Sequence, residues 1–211
     1  SFDRNRNKVR IIGNPVRPEI IALNSLKRDF YQHELNVLIL GGSQGAQILN
    51  RSMPEVIKDL IVGTRPNVWH QSGEKDFELT QKSYEGIEGI DIRVSAFIDD
   101  MACAYAWAHV VVCRSGALTV SEVAACGLPA FFIPFPHAVD DHQYHNAQFL
   151  AQAGAAVCMR QSHFTHQKLA AFLRAMDLNR QSLVDMAAHA KGVAKLDATE
   201  KLLDSVKRWI I

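Results

Sequence analysis

The chain has 211 residues, of which 48% are hydrophobic and 21% are charged, and its 23 Lys and Arg against 22 Asp and Glu leave a formal net charge of +1. This length and composition indicate one folded domain with a sizeable core, and they exclude an intrinsically disordered chain. The near-neutral charge argues against a nucleic-acid binder that depends on a basic surface.

The chain starts at Ser1 rather than Met and has no apolar signal region, which predicts that it is a fragment of a longer protein. No apolar run approaches the length of about 18 residues that a membrane-spanning helix needs. The four cysteines, at positions 103, 113, 126 and 158, form no C-x-x-C pair, so zinc-ribbon and thioredoxin-like motifs are excluded. We expect them to be reduced and structural, because a chain of this length builds its core without disulfides.

Short apolar runs alternate with longer amphipathic stretches along most of the sequence. The predicted strands are 37–40, 67–70, 90–94, 109–113, 130–134 and 155–159, and helical periodicity is clear in stretches such as 46–61 and 146–153. This alternation predicts βαβ crossovers and a parallel sheet, and the consecutive apolar residues predict helices on both faces. Three helices are expected between 165 and 211. The predicted fold class is a doubly wound, Rossmann-like α/β domain with a C-terminal helical tail.

In open parallel sheets, ligands bind beyond the carboxyl ends of the strands, so the loops after each strand are the candidate sites. The first loop, 41–46, is Gly-Gly-Ser-Gln-Gly-Ala and opens a helix. Its glycines and the helix-start amides favour an anion site, most often for phosphate. The loop lacks the G-x-G-x-x-G dinucleotide pattern but matches G-x-S-x-G, with Ser43 as a hydrolase nucleophile. A tight turn without a ligand is the third alternative.

The second loop also joins a strand to a helix, over residues 113–122. Thr119 and Glu122 have the spacing of a capping box, which would be purely structural. Alternatively, the carboxylate of Glu122 accepts hydrogen bonds from two vicinal ribose hydroxyls. Two glycine-bearing helix starts after different strands of one sheet favour a nucleotide site.

The third loop, 134–146, is rich in polar side chains. Three His and two Asp fall within nine residues, so a metal site has to be considered, although the spacing matches no zinc signature. Gln143, His142 and Asn146 suit sugar recognition better, because they offer donors and acceptors to hydroxyl groups.

Two shorter segments add candidates. Arg17 follows an apolar run at a position where its permanent charge could meet a diphosphate; otherwise it is a surface arginine. In 97–101, Asp99 is predicted to be a helix N-cap. The backbone beside it is a candidate for pairing with a base edge.

Together these motifs resemble a known family. They are GNPVR (13–17), GGSQGA (41–46), WHQSG (69–73), FIDDM (97–101), VVVCRSGALTVSE (110–122), GLPAFFIPFPHAVDDHQ (127–143) and NA (146–147). In this order they resemble the C-terminal, donor-binding half of the MurG family. Those enzymes are two-domain GT-B N-acetylglucosaminyltransferases that convert lipid I to lipid II in bacterial peptidoglycan synthesis. The resemblance runs from about Val9 to the C-terminus.

The resemblance implies a site for UDP-GlcNAc. The residues that it implies are Arg17, Ser43, Ile98, Ala117, Leu118, Thr119, Val120, Ser121, Glu122, His142 and Gln143. Arg17 and Ser43 would contact the diphosphate, and the Ile98 backbone would contact the uracil. Residues 117–122 would contact phosphate and ribose, with the Glu122 carboxylate on the ribose hydroxyls. Gln143, with neighbouring His142, would bind the GlcNAc hydroxyls.

The resemblance also implies how the work is divided in the whole enzyme. Residues 1–8 would be the remnant of an interdomain linker, and residues 9–211 would be the donor domain. The catalytic base and the lipid I site would lie in a separate N-terminal half, so no residue of this chain is expected to be catalytic. The implied diphosphate site needs no metal or other cofactor. The implied location is peripheral, on the cytoplasmic face of the bacterial inner membrane, without nucleic acid as a partner. His109 stands where many members carry Asp.

Three other functions remain open at this point. The chain could be the donor domain of a different GT-B enzyme, such as another lipid glycosyltransferase or a UDP-GlcNAc 2-epimerase. It could be a separate donor-binding subunit of a split transferase. The third alternative is the hydrolase in which Ser43 is the nucleophile.

Overall fold

The computed structural model describes residues 11–31, 34–42, 46–61 and 64–210. Its helices and strands in chain order are α1 (Pro18–Ile21), β1 (Asn36–Leu40), α2 (Gln47–Asp59), β2 (Asn67–Gln71), α3 (Phe77–Ser83), β3 (Ile92–Ser95), α4 (Met101–Trp107), β4 (Val110–Cys113), α5 (Ala117–Cys126), β5 (Ala130–Phe132), α6 (His142–Gln152), β6 (Ala156–Cys158), α7 (His166–Leu178), α8 (Arg180–Val193) and α9 (Ala198–Ile210). All six predicted strands and the three predicted C-terminal helices are confirmed. Strand β5 is shorter than predicted, because Pro134 has no amide hydrogen to donate to a sheet.

The six strands form one parallel sheet in the order β3-β2-β1-β4-β5-β6. Leu40, the last residue of β1, lies in register with Gln71 of β2 on one side and Cys113 of β4 on the other. The strand order therefore reverses between β1 and β4. In doubly wound sheets a ligand crevice opens at this switch point, beyond the carboxyl ends of the strands.

The sheet is covered on both faces, because successive side chains of a strand point to opposite sides. Leu38 and Val111 belong to a buried cluster that includes residues of α1, α4, α5 and α6. Val37 and Val110 belong to a second cluster that includes residues of α2, α7 and α8. This two-sided burial confirms the doubly wound fold.

The C-terminal helices differ in how they contribute to this core. Helices α7 and α8 of the predicted C-terminal helical tail bury Leu169, Leu173 and Leu183, so this part of the tail packs into the core. Helix α9 leaves Leu202 and Leu203 exposed. No helix within the described ranges is long and apolar enough to cross a membrane. All four cysteines are free thiols.

Candidate functional site

The glycine-rich loop after β1 is held by the neighbouring strand β2. The N–H of Gly41 donates to the backbone oxygen of Gln71 at 3.0 Å, and the N–H of Gly42 donates to Gln71 Oε1 at 3.2 Å. Gly42 has a φ of 76°, a conformation that favours glycine. Gln71 is 5% exposed. It lies in the WHQSG motif, where no local pattern indicates a role for its side chain.

Ser43 lies outside the described residues, which resume at Ala46. Its predicted roles as a diphosphate ligand and as a hydrolase nucleophile both stay predictions. Ala46 is the N-cap of α2 and makes no side-chain capping hydrogen bond. Alanine has no side-chain acceptor, so the N-cap residue itself leaves the helix-start amides of α2 available to an anion.

A buried polar network connects α2 to β2 behind this loop. His70 Nε2 lies 3.0 Å from Asn50 Oδ1, and His70 Nδ1 lies 2.9 Å from the hydroxyl of Tyr84. The side-chain nitrogen Nδ2 of Asn50 donates to the backbone oxygen of Ser72 and to Asp76 Oδ2, both at 3.0 Å. Burial lowers the pKa of His70 to about 3, so the imidazole is neutral at pH 7. Its Nε2 donates to Asn50, and its Nδ1 accepts from Tyr84.

Helix α5 begins at the second predicted loop, with Gly116 as its N-cap and no side-chain capping bond. Thr119 is therefore the third residue of the helix, and Glu122 lies in its second turn. The capping-box alternative is wrong, because Glu122 is too far along α5 to reach the free amides of the first turn.

The carboxylate of Glu122 contacts two other segments of the chain. Its Oε2 accepts a hydrogen bond from the hydroxyl of Tyr105 at 2.9 Å, and its Oε1 lies 3.5 Å from Arg17 Nη2. The side chain of Arg17 is 48% exposed and that of Glu122 is 17% exposed. The structure thus brings together two predicted site residues, Arg17 and Glu122, that are 105 positions apart in the sequence. It adds Tyr105, which no sequence motif indicated.

The remaining predicted residues of α5 differ in accessibility. Ala117 and Leu118 are exposed, and Thr119 is half-buried. Val120 is buried in the core. The hydroxyl of Ser121 donates to its own helix and accepts from Asn14 at 3.0 Å. The exposed first turn of α5 is therefore the part that a ligand can reach most directly.

Ile98 lies just before α4 and is 4% exposed. Its side chain packs in the same cluster as Tyr105, so only its main chain is suited to contact a base.

The predicted N-cap of α4 at Asp99 is wrong by one residue. Asp100 caps α4, with its Oδ1 accepting from the N–H of Cys103 at 2.8 Å.

The start of α6 contains the two residues predicted to recognise the sugar. His142 is the exposed first residue of α6. Gln143 is fixed at two points, since its Oε1 accepts from the N–H of Phe135 at 3.0 Å and its backbone oxygen accepts from the hydroxyl of Ser115 at 2.7 Å. The first bond connects α6 to the segment after β5, and the second connects it to the loop between β4 and α5.

The turn before His142 has an uncommon backbone. Asp140 and Asp141 have φ values of 50° and 54°, which are rare for residues other than glycine. The carboxylate of Asp141 forms an ion pair with Arg160 at 2.6 Å, and the Arg160 guanidinium lies 3.8 Å from the centre of the Tyr144 ring. Within the described ranges, no three His, Cys, Asp or Glu side chains are grouped so that they could hold a metal ion.

Arg114 is a second side chain that the sequence analysis did not select. Its Nη1 donates to the backbone oxygens of Ile133 and Pro134 at 2.9 and 3.0 Å, and its Nη2 donates to Gln161 Oε1 at 2.7 Å. Burial lowers the pKa of Arg114 from its ordinary value. Arg114 connects the ends of β4 and β5 with the segment after β6.

A cavity of about 640 Å³ opens between these segments at the switch point. It is lined by Gly41, Gly42, Ala46, Gln47, Ile48, Arg114, Phe135, Pro136, His137, Gln143 and Gln161. The structure therefore brings Gln143 next to the glycine-rich loop. Arg17 and Glu122 are not part of this lining and form a separate pair beside α5.

The strand order and the two uncapped helix starts at the switch point define a Rossmann-like domain, the architecture of the C-terminal halves of GT-B glycosyltransferases. Residues 36–202 match the glycosyltransferase family 28 C-terminal domain. The chain belongs to this family, and the resemblance noted from its motifs is confirmed.

Similar proteins agree with this assignment. UDP-N-acetylglucosamine–N-acetylmuramyl-(pentapeptide) pyrophosphoryl-undecaprenol N-acetylglucosamine transferase from Francisella tularensis subsp. tularensis (strain FSC 198) is 46% identical over 204 residues, which cover 95% of this chain and 55% of that protein. The protein of the same name from Shewanella denitrificans is 46% identical over 197 residues, covering 93% of this chain and 54% of the relative. The chain thus spans about half the length of these curated relatives.

Solved structures extend the comparison. Acinetobacter baumannii MurG superimposes with a TM-score of 0.78 at 40% identity, over 90% of this chain and 53% of that chain. WaaG, a glycosyltransferase of lipopolysaccharide biosynthesis, superimposes with a TM-score of 0.65 over 94% of this chain and 56% of that chain. Its 14% identity makes it a match of fold alone.

Proposed function

We propose that this chain is the donor-binding half of an inverting glycosyltransferase that moves GlcNAc from UDP-GlcNAc to lipid I. The observation that carries the proposal is the cavity at the switch point, which joins Gln143 to the glycine-rich loop at the carboxyl ends of the central strands. The helix starts of α2 and α5 and the Arg17–Glu122 pair, which lies outside the cavity lining, supply the further groups that the proposal uses. The names of the relatives, which are N-acetylglucosamine transferases acting on a pyrophosphoryl-undecaprenol, specify the donor and acceptor.

In this proposal the diphosphate lies near the starts of α2 and α5. Helix-start amides carry a partial positive charge and point toward a bound anion. Arg17 adds a full positive charge, and Ser43 adds a hydroxyl from the glycine-rich loop. These donors stabilise UDP as it leaves, when negative charge develops on the diphosphate. They make a metal at this position unnecessary.

The nucleoside and the sugar are assigned to separate groups. The Ile98 main chain is assigned to the uracil, and the Glu122 carboxylate to the two ribose hydroxyls. Since Oε1 of Gln143 accepts from Phe135, the NH₂ group of Gln143 remains to donate to a GlcNAc hydroxyl. His142, the exposed residue before it, is assigned to the same sugar.

The other half of the enzyme is proposed to supply what this chain does not. An inverting displacement needs a base for the acceptor hydroxyl, which we place in the N-terminal half together with the lipid I site. Contact with the membrane surface, on its cytoplasmic face, would follow from binding a lipid-linked acceptor. We therefore expect no lipid II formation by this chain alone. Efficient turnover by the purified 211-residue chain would contradict this division.

Calorimetric titration of the chain with UDP and with UDP-GlcNAc tests donor binding. Both should bind with the same affinity in the presence and absence of EDTA, because protein donors hold the diphosphate. UDP at about 100 times its Kd should add about 2.7 kcal/mol to the free energy of unfolding. An unchanged melting temperature at saturating UDP would refute the proposal.

The sugar contact has its own test. Gln143→Ala should weaken the binding of UDP-GlcNAc and leave that of UDP unaffected, whereas Gln152→Ala, at the far end of the same helix, should change neither affinity.

Labelling with a serine-directed fluorophosphonate distinguishes the hydrolase alternative from the transferase. Labelling of Ser43 would favour a hydrolase, and UDP binding without labelling would favour the transferase.

A further inference from the structure

Tyr105 is a fully buried tyrosine whose hydroxyl points at the candidate nucleotide site. It lies on α4 and is 0% exposed, in the same apolar cluster as Ile98 and Val123. Its hydroxyl donates to Glu122 Oε2 at 2.9 Å. A buried phenol needs a hydrogen-bond partner. Here that partner is the carboxylate for which a ligand contact has been proposed on other grounds.

The two anchors of the Glu122 carboxylate differ in rigidity. Arg17 is half exposed, and its guanidinium also lies 3.8 Å from Glu19 Oε1, so it has a second partner. Tyr105 is enclosed by the core and has no room to change its rotamer. Burial, and next the charge of Glu122, raise the pKa of Tyr105 well above its ordinary value, so its hydroxyl stays protonated and remains a donor.

We propose that Tyr105 is a positioning residue for ribose recognition: its hydroxyl holds the Glu122 carboxylate in the orientation that accepts both hydroxyls of a ribonucleoside diphosphate. The inference rests on the proposed function and deepens it. A free glutamate loses rotamer entropy when it binds a ligand, and a carboxylate that is already fixed loses less. Tyr105 takes up one acceptor site on Oε2, and each oxygen of the carboxylate can accept a further hydrogen bond from a ribose hydroxyl.

The consequence is a preference for ribose that depends on a residue the nucleotide never touches. Tyr105→Phe removes one oxygen and keeps the ring that fills the core. It should weaken UDP by up to about tenfold, the size expected when binding has to immobilise a side chain that was fixed beforehand. Binding of 2′,3′-dideoxy-UDP, which lacks both hydroxyls, should be unchanged. A purely structural role would weaken both ligands alike.

A double-variant cycle connects the effect to Glu122. Glu122→Gln should lose the same preference for UDP over 2′,3′-dideoxy-UDP. Tyr105→Phe combined with Glu122→Gln should bind UDP about as well as Glu122→Gln alone, because the hydroxyl then has no carboxylate to orient. Independent, additive losses would overturn the proposal.

Tyr84→Phe is the matched control, since it also removes a buried hydroxyl with a side-chain partner, on the other side of the sheet. It should lower the melting temperature without changing the ribose preference. If Tyr105→Phe does not fold, Tyr105→Met provides a second variant without the hydroxyl and should show the same loss. An unchanged ribose preference in the folded variant would overturn the role of Tyr105. Parent protein that binds neither ligand would overturn the proposed function itself.

Discussion

The two strand-to-helix junctions at the switch point are held in different ways. The β1–α2 junction is held mainly by neutral side chains: Gln71 accepts from Gly42, and His70 of β2 contacts Asn50 of α2. Asn50 also donates to the carboxylate of Asp76. The β4–α5 junction is held by a guanidinium, since Arg114 donates to the ends of the neighbouring segments. Both junctions end in a helix start without a side-chain cap.

The two junctions of one crevice are therefore held in place by two independent kinds of contact. A neutral buried network depends on every member keeping its protonation state, because an unpaired or charged group inside is costly. A guanidinium stays charged at any pH at which the protein is folded. Acid should therefore disturb the first junction, and loss of a single arginine should disturb the second.

Removal of the guanidinium should have the largest effect. Arg114→Met is expected to lower the free energy of unfolding by at least about 2–3 kcal/mol, because each hydrogen bond to a charged group contributes about 1.5–3 kcal/mol and three are lost. Urea unfolding at pH 7 measures this. Arg93→Met is the control, since Arg93 is 53% exposed, pairs with Asp91 at the surface and otherwise lies 5.8 Å from the centre of the Trp69 ring. Equal losses in the two variants would show that Arg114 is an ordinary surface arginine.

Acidification should have the second-largest effect on stability. The pKa of His70 is about 3 in the folded chain, below the value of about 6.5 expected after unfolding. The unfolded chain therefore takes up the proton first, and stability falls as the pH drops from about 6.5 toward 3, by up to about 1.4 kcal/mol per pH unit. The pKa of His109 is also lowered, to about 4, first by burial and next by the charge of Arg180. His109 therefore adds to the loss of stability in acid.

Urea unfolding at pH 7 and pH 5 checks this dependence. His70→Gln keeps a donor and an acceptor but cannot titrate, so it should lose about 2 kcal/mol less than the parent over this interval. Substitution of the exposed His163 by Gln should leave the acid sensitivity of the parent unchanged. If His70→Gln is as acid-sensitive as the parent, protonation of His70 is not what weakens the first junction.

Loss of the loop contact should have a smaller effect. Gln71→Leu removes the acceptor for the Gly42 N–H and should cost about 1 kcal/mol of stability. The UDP affinity should also fall, because the loop that precedes Ser43 is no longer fixed. Gln71→Asn, which keeps an uncharged acceptor oxygen beside the anion site, is the matched variant and should retain more of the affinity. Equal affinities of the two variants would contradict a role for this contact.

The smallest effect is expected at the turn before α6. The Arg160–Asp141 pair is exposed, and such ion pairs contribute little to stability. Arg160→Gln should leave UDP affinity unchanged and slightly reduce the advantage of UDP-GlcNAc over UDP, because the backbone of Asp141 leads directly into His142 and Gln143. Calorimetry with both ligands measures that advantage. A loss of UDP affinity would place Arg160 at the diphosphate instead.

The sequence by itself determined the alternation of strands and helices, the three C-terminal helices and the loops that face the crevice. Hydrophobic periodicity is a local property, so it identified α2 and β4 without any knowledge of their neighbours. The family followed from the motifs. Helix boundaries were less secure. Asp100 rather than Asp99 is the N-cap of α4, and Gly116 rather than Thr119 is the N-cap of α5, because capping depends on where the backbone turns.

Only the tertiary structure decided which residues meet. The order β3-β2-β1-β4-β5-β6 places the loops after β1 and β4 side by side, and no local pattern encodes that order. Tyr105 is buried on α4, and Glu122 is half-buried on α5. From the sequence, an aromatic residue in a helix predicts packing in the core and no particular polar partner. Their contact depends on how α4 packs against α5 over the sheet. Long-range packing, rather than residue type or spacing, therefore determined the geometry of the site.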